Sequence, residues 1–500
     1  MRNSDWSRDN NRSKKSTFIA LGRLFKYMAK NYLILMIIVL FATFFSTFAA
    51  VQGAMFLQIV VDNFVLPALE IGAFDATGLM YEIFFMALIY AGGAFATFLL
   101  FFLMVRISGG VQRLIRNELF EKMQNLPIKY FDGQQHGDLM SKVTNDVDSM
   151  RGMLSQSLPE IIRALFTLIV TFIGMVVLSI PLTVIVVVAV VIQMYIAKFV
   201  TGKSKAGFIS SARAMGKMNG YIEEMLAGQK VVKVFAREDK VKADFDVLNE
   251  ELTDHLRTAN KYSNILFPML LAMGQALYGV IALVGGLLVL NPNSALTVGA
   301  VASFLYLSRT FVQPIGQISV QINSIIKALA ASDRIFDTLD QEPEVDNGKI
   351  ELEASDGHVV FKDVDFGYDE ENLILRGISF EARPSSKVAI IGKTGAGKTT
   401  ISNLVSRFYD VSAGNIVLDG YDIRDLTKAS LRRSVGMVLQ DTKLFTGTIA
   451  DNIRYGRPDA TLAEIKKAAT LACANDFISR LPRGYDTVIT DNGGDRKSVV

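Results

Sequence analysis

Long apolar stretches alternate with long charged ones along this chain, and Lys and Arg mark the boundaries. Residues 31–105 contain no Lys or Arg, residues 164–197 no charged residue of any kind, and residues 262–308 again none. A membrane-crossing helix needs about 20 apolar residues, so each stretch has room for two crossings and a turn. Turn formers stand near each middle: Asp62, Pro67, Gly72, Asp75 and Gly78 in the first, Ser179-Ile180-Pro181 in the second, Asn291-Pro292-Asn293-Ser294 in the third. The pattern predicts six helices near 33–57, 80–105, 161–179, 182–200, 264–290 and 298–322.

Positive charge is retained on the cytoplasmic side of a membrane. Eight Lys and Arg lie in residues 1–30, eight in 106–163, twelve in 198–261, and none in the three predicted turns. The N-terminus and everything after the last span are therefore expected in the cytoplasm of a multi-pass cell-membrane protein. About 30 polar, basic residues precede the first apolar stretch, so it reads as a true span and not a cleaved signal. The internal cytoplasmic blocks, 106–160 and 201–262, are far longer than ordinary connections between bundled helices. Ile115, Leu119, Met123 and Leu126 recur on one helical face, with Arg113, Arg116, Glu118, Glu121 and Lys122 elsewhere. The second span is thus predicted to continue as a helix well beyond the bilayer. Such extensions suggest levers, or solvated helical insertions without a partner.

A different composition follows residue 327. Residues 328–350 read as a linker, and from 351 short apolar runs separated by Gly and Asp indicate an α/β domain. Within it, Lys387-Val388-Ala389-Ile390-Ile391 reads as a strand leading into Gly392-Lys393-Thr394-Gly395-Ala396-Gly397-Lys398-Thr399-Thr400. This is G-x-x-x-x-G-K-[ST] between a strand and a helix. Glycines allow successive N–H groups to turn toward phosphate oxygens, and the following helix offers its positive end to the same anion. Lys398 is expected to reach the β/γ-phosphates and Thr399 to hold Mg²⁺.

With these motifs in place the chain resembles an ABC exporter half-transporter, six spans followed by an ATP-binding domain, over residues from about 20 to 494. Leu126-Pro127, Tyr130-Phe131-Asp132, Gly137-Asp138-Leu139 and Thr144-Asn145-Asp146-Val147-Asp148 are similar to the family's first cytoplasmic coupling segment, and residues 223–235 to its second. The resemblance implies that Tyr368 stacks on adenine, and that Gln440 in Val438-Leu439-Gln440-Asp441 contacts the metal or attacking water. It implies ATP and Mg²⁺ as cofactors, a second half-transporter as partner, and a small amphipathic substrate crossing the lipid bilayer. The pattern in 212–238 favours a heterodimer over a homodimer. Past Asp491-Asn492-Gly493-Gly494 the family continues into a signature sequence, a Walker B strand and a switch His, whereas this chain reads Asp495-Arg496-Lys497-Ser498-Val499-Val500. The fold class expected is therefore a multidomain membrane protein, an all-α six-helix transmembrane domain followed by an incomplete α/β P-loop nucleotide-binding domain. The 500-residue chain is expected to hydrolyse ATP poorly, with 495–500 non-native. The alternative is a nucleotide-binding regulatory half without ATP turnover.

Composition narrows the remainder. At 50% apolar and 20% charged residues the chain fits neither a wholly soluble enzyme nor a disordered one. A net charge of +3 over 500 residues does not suggest nucleic-acid binding. Cys473 alone can form no internal disulfide. His136, His255 and His358 suggest no metal site, and Glu160 with Arg163 a local ion pair. Gln313, Gln317 and Gln321 form one polar stripe on the sixth span, suited equally to a water-filled cavity or to interhelical hydrogen bonds.

Overall fold

The computed structural model describes residues 4–71, 74–292, 294–369, 372–438 and 442–489, and Gln440 and 490–500 lie outside these. They fall into two compact units, Met1–Leu126 with Phe131–Pro343, and Pro127–Tyr130 with Glu344–Val500.

The first unit is helical throughout. Its long elements are α1 (Ser4–Val60), followed by α2 (Leu66–Ile71), then α3 (Ala76–Gln124). After α4 (Ile128–Asp132), whose residues 128–130 group with the second unit, the short helices α5 (His136–Ser141) and α6 (Val147–Gly152) lead to α7 (Leu158–Leu178) and α8 (Ile180–Ala227). Then come α9 (Gln229–Val234), α10 (Glu238–Val289) and α11 (Val298–Leu339). Three single π-turns, Val61–Val65, Lys142–Asp146 and Met153–Ser157, interrupt this series. Among the described residues five helices are long and apolar enough to cross a membrane. The sixth expected span, α11, is as long as the others need to be, but Arg309 and the Gln313, Gln317 and Gln321 stripe keep it below that apolarity. Gln313 and Gln317 are exposed.

Two expected breaks are corrected. Asp62 and Pro67 do not turn the chain: the helix absorbs Asp62 in a π-turn, and Pro67 sits at the second position of α2. The helix runs on through this point, and the π-turn directly before Pro67 loosens the backbone against which a proline ring would otherwise clash. The chain turns only after Ile71. By contrast Ser179 leaves the helix with an extended backbone, φ −166° and ψ 112°, and Pro181 starts α8. The predicted face of α3 is buried, Ile115 and Leu119 fully and Met123 nearly so, while Leu126, also buried, lies just past the helix end. At 1.5 Å per residue α3 is about 70 Å long, more than twice the hydrocarbon thickness.

Two cores hold this unit. One joins the N-terminal half of α1 to α3, α6 and the end of α11 around Leu24, Ile107, Val111, Met150 and Phe336. The other joins the distal half of α1 to α7, α8, α10 and α11 around Ala54, Met175, Leu182, Ile281 and Phe304. Outward-facing residues such as Phe41, Phe84 and Val177 are apolar and exposed, as lipid requires. Arg334 on α11 donates to both oxygens of Asp146, at 2.9 and 2.5 Å, and Glu160 accepts from Arg163 at 2.7 Å.

The second unit carries β1 (Val359–Phe366), β2 (Leu375–Ala382), α12 (Lys398–Val405), β3 (Ala413–Leu418), β4 (Tyr421–Asp422) and α13 (Lys428–Ser434). It ends with β5 (Gly447–Thr448), α14 (Ile449–Arg454), α15 (Leu462–Leu471), α16 (Asn475–Ser479) and β6 (Val488–Ile489). The main sheet has the order β2-β1-β3-β4 with every pair antiparallel, and β5 pairs with β6. Its core gathers Phe361, Val364, Ile401, Leu404, Ile416 and Leu431. The strand expected over residues 387–391 is not formed. Ile391 is 92% exposed, and among the described residues no strand lies beside this run to complete a ladder. An apolar run becomes a strand only when a neighbour takes its backbone hydrogen bonds.

The stretch expected as linker is partly ordered into both units. The helix α11 continues to Leu339, while Glu344 accepts from Arg432 at 2.9 and 2.6 Å and from Lys428 at 3.1 Å. Asp346 accepts from the backbone N–H of Lys428, at the start of α13.

The Asp146–Arg334 pair generates a direct expectation. Asp146→Ala removes a buried carboxylate that takes two charged hydrogen bonds, at a cost of about 1–3 kcal/mol. The value stays modest because the Arg334 side chain is 54% exposed and finds water. The melting temperature of the full-length protein in detergent should fall, and Arg334→Lys should fall less far, since one ammonium keeps the charge but not the fork.

Candidate functional site

The loop 392–397 begins where the apolar run 387–391 ends and closes on α12. Gly395 and Gly397 both take left-handed backbone angles, φ 84° and 83°. Side-chain-bearing residues pay for that conformation in sterics, glycine does not. Gly397 has a second reason: a Cβ there would fall 2.7 Å from Leu375 Cδ2 and 3.1 Å from Ile374 Cγ2, at the start of β2. The loop is thus wound tightly against the sheet. Its turn is closed by Ala396 N–H donating to Lys393 O at 3.1 Å.

Lys398 opens α12 and folds back over the loop. Its ammonium donates to the carbonyls of Gly392 and Lys393, 2.8 Å each. A positive charge is thereby centred inside the curl of backbone, beside the N-terminal end of a helix whose first N–H groups have no intrahelical acceptors. Thr399 is exposed on the first turn, whereas Thr400 is buried against the domain. Gly392, Lys393, Thr394, Gly395 and Ala396 are all exposed. Donors, cation and an exposed hydroxyl converge on one small surface, a set suited to a polyphosphate with a divalent metal.

Tyr368 lies just past β1 and reaches this helix. Its hydroxyl shares a 3.4 Å hydrogen bond with Thr400 Oγ1, and Asn403 Nδ2 donates to it at 3.4 Å. The half-buried ring meets Phe366 and Tyr409 edge-on, with centroids 5.1 and 5.0 Å away. So Tyr368 and the loop, about two dozen residues apart in sequence, both meet α12, Tyr368 on its buried side at Thr400 and the loop at its first residue. Sequence reasoning missed Asn403 and Tyr409, which carry no motif and join the group only through packing. It also missed the support beneath α12: Arg407, 5% exposed, donates to the carbonyls of Ile423, Arg424 and Leu426 and to Asp410. Arg432 passes over the Phe408 ring and ties Glu344 to the same region. Hydrogen bonds from Arg432, then those from Lys428, hold the Glu344 carboxyl below the usual carboxylate range against the opposing cost of its burial.

Comparison with known proteins agrees with this division of the chain. Residues 36–315 match the family described as ABC transporter transmembrane region, and residues 375–492 match ABC transporter. The chain is 34% identical over 481 residues to an uncharacterized ABC transporter ATP-binding protein, YfiC, of Bacillus subtilis, covering 96% of this chain and 78% of that one. It is 36% identical over 380 residues to a fatty acid ABC transporter ATP-binding/permease protein of Mycobacterium bovis, covering 76% of this chain and 60% of that one. It is also 34% identical over 394 residues to an ATP-dependent lipid A-core flippase of Syntrophus aciditrophicus, covering 77% and 65%. The chain therefore spans less than two thirds of the latter two relatives.

Two outcomes follow from this geometry. Gly397→Ala imposes a strained backbone and a contact with Leu375, costing about 1–2 kcal/mol. Fluorescent-nucleotide titration of the full-length protein should show a Kd higher by roughly tenfold. Glu344, with its folded pKa depressed, adds stability that is fully present above its unfolded value of about 4.3 and is lost as pH falls through the folded value. Hydrogen exchange of 428–434 should lose protection on acidification below that pH, and Glu344→Gln should lower protection at neutral pH while flattening the acid limb.

Proposed function

The chain belongs to the ABC transporter family, with its transmembrane region and ATP-binding domain fused, and from that premise we propose that the full-length protein exports an amphipathic or lipophilic substrate across the cell membrane at the expense of ATP. The observation that carries the proposal is the loop centred on Lys398, a polyphosphate cradle in the same polypeptide as a bundle of lipid-facing helices. In it, Lys398 and the N–H groups of 392–400 hold the β/γ-phosphates, Thr399 and Gln440 hold Mg²⁺, and Tyr368 packs on the adenine. Bound Mg²⁺-ATP supplies the phosphoryl group whose transfer to water releases free energy. What this chain contributes is grip and position. The left-handed glycines keep the curl open to oxygens, and the Arg407 and Arg432 contacts brace α12.

Transport follows if nucleotide binds one conformation of the spans more tightly than the other, because a ligand shifts an equilibrium only by its differential affinity. We take the working unit to be two half-transporters, with a different second half favoured over an identical copy by the pattern in 212–238. The N-terminus and ATP-binding domain face the cytoplasm, where the Lys and Arg residues concentrate. The fatty acid and lipid A-core named for two relatives support a lipid-like substrate.

In inside-out vesicles containing the full-length protein and its partner half, a fluorescent fatty acid should move to the lumen only when Mg-ATP is added outside. Lys398→Ala should reduce that movement by at least about two orders of magnitude, as expected when the cation balancing phosphate charge is removed from a preorganised site. Undiminished ATP-driven movement by the variant would refute an active role for this loop.

A further inference from the structure

Arg309 carries a permanent positive charge into the spanning part of α11, and among the described residues nothing neutralises it. It stands eleven residues past Val298, about 17 Å along the helix from its outer end and so near the middle of a hydrocarbon layer of about 30 Å. The side chain is exposed and has no ion pair or hydrogen bond to any described residue. Of the carboxylates within or beside the spans, Asp62 accepts from the Thr297 hydroxyl and the Gly299 N–H, and Glu160 accepts from Arg163. Glu70, Asp75 and Glu82 lie toward the outer ends of their helices. A guanidinium half-way across the bilayer is too deep to snorkel to either surface, and lipid tails offer it no partner.

The rest of its helix face shows what Arg309 belongs to. Tyr306, Arg309, Gln313, Gln317, Ser324 and Lys327 recur at helical spacing and are all exposed, while Phe304, Leu307 and Pro314 are buried on the opposite side. Toward the cytoplasm this face stays polar down to Lys327, interrupted only by Val320. Toward the outside it ends, because beyond Tyr306 the same face continues as Ala302 and Val298. Several polar groups on one exposed face do not front lipid; they line water or another protein surface. The track therefore opens at the cytoplasmic end and stops on a cation in the middle of the membrane.

We infer that Arg309, with Tyr306 and Gln313 beside it, forms an oxyanion site for the headgroup of the transported amphipath, favouring substrates that carry a carboxylate, phosphate or sulfonate on an apolar chain; the inference rests on the export reading above. A guanidinium repels cations and gives a neutral headgroup only ordinary hydrogen bonds, whereas an oxyanion can accept from both prongs of its fork. The Tyr306 hydroxyl and the Gln313 amide stand one turn to either side, and each can donate. Neither has a hydrogen-bond partner among the described residues. Val320 and Ile322, both exposed, offer apolar surface along the track for the chain. Arg309 is thus a specificity-determining residue that touches substrate and not nucleotide.

The test uses the full-length protein with its partner half and dansyl probes of equal chain length, an alkyl sulfonate, a neutral alkyl amide and an alkyl trimethylammonium. Fluorescence titration in detergent, without nucleotide, gives a Kd for each, and the sulfonate should bind tightest. Arg309→Gln should cut the sulfonate's advantage over the amide by about tenfold or more, as for a lost charge-assisted hydrogen bond. Arg309→Lys should cut it less, since the charge is kept and the fork lost, and Arg309→Glu should reverse the order in favour of trimethylammonium. An unchanged sulfonate-to-amide ratio in Arg309→Gln overturns the site, as does an equal loss for all probes, which marks a structural role. Separation of the two halves by Arg309→Gln on size exclusion, reversed in Arg309→Lys, also overturns it, because the guanidinium would then be answering a carboxylate of the partner. If Arg309→Gln does not reach the membrane, Gln313→Leu and Tyr306→Phe decide: at least one should lower the same ratio about two- to threefold, and no change in either overturns the site. In inside-out vesicles, failure of the unmodified protein to move any probe with Mg-ATP overturns the export reading instead, leaving the Kd comparison intact.

Discussion

A bilayer's interior offers no hydrogen bonds to a polypeptide, and this constraint governs the helical unit. Every backbone N–H and C=O inside it must find a partner within the chain, which leaves long helices as the available answer. The same rule disciplines the irregularities. Pro181 opens α8 after the extended Ser179, where no donor is lost, Pro67 and Pro159 follow π-turns, and only Pro268 and Pro314 among the described prolines of α10 and α11 stand inside a helix. Polar side chains such as Thr43, Thr171 and Ser308 return their hydroxyls to the carbonyl three or four residues earlier. What remains free for interhelical use is small, so a few hydrogen bonds between helices decide much about which faces pair.

The second unit answers to a different constraint, the concentration of positive charge and donors in one place. Folding Lys398 over its own loop carbonyls satisfies the ammonium locally. Phosphate oxygens would have to displace or outbid those two carbonyls. They can, because a charged acceptor makes a stronger hydrogen bond than a neutral one. The loop is therefore ordered by its own lysine. The Arg407 and Arg432 contacts supply the rigidity beneath it, with long side chains bonded to carbonyls across three segments.

Much of this was legible in the sequence. The buried line Ile115, Leu119, Met123, Leu126 followed from a 3.6-residue period, and the breaks at Ser179 and Asn291 from local turn chemistry. The glycine-rich loop stood out because its residue types recur at a fixed spacing, and the structure gives Gly395 and Gly397 the left-handed angles that glycine favours. Tyr368 was placed by its distance from that loop, and the structure brings it to the same helix. The failures share one cause. Asp62 and Pro67 read as turn formers, but whether a residue breaks a helix depends on what its side chain and backbone meet. Residues 387–391 read as a strand, but a strand exists only with a neighbour. Asp146 with Arg334, and Glu344 with Arg432, join positions 188 and 88 residues apart, and nothing in either local sequence announces its partner.

The π-turns at Lys142–Asp146 and Met153–Ser157 carry one more implication. Each holds one residue beyond what an α-helical turn requires, and the first of them contains Asp146. Removing a single amino acid from either would heal it into plain α-helix with little change of phase, because the π-turn takes up its extra residue as a local bulge and leaves flanking faces, such as that of Met150, where they are. At these two turns, then, chain length is softer than in the plain helices around them, where one residue lost would rotate everything downstream by about 100°.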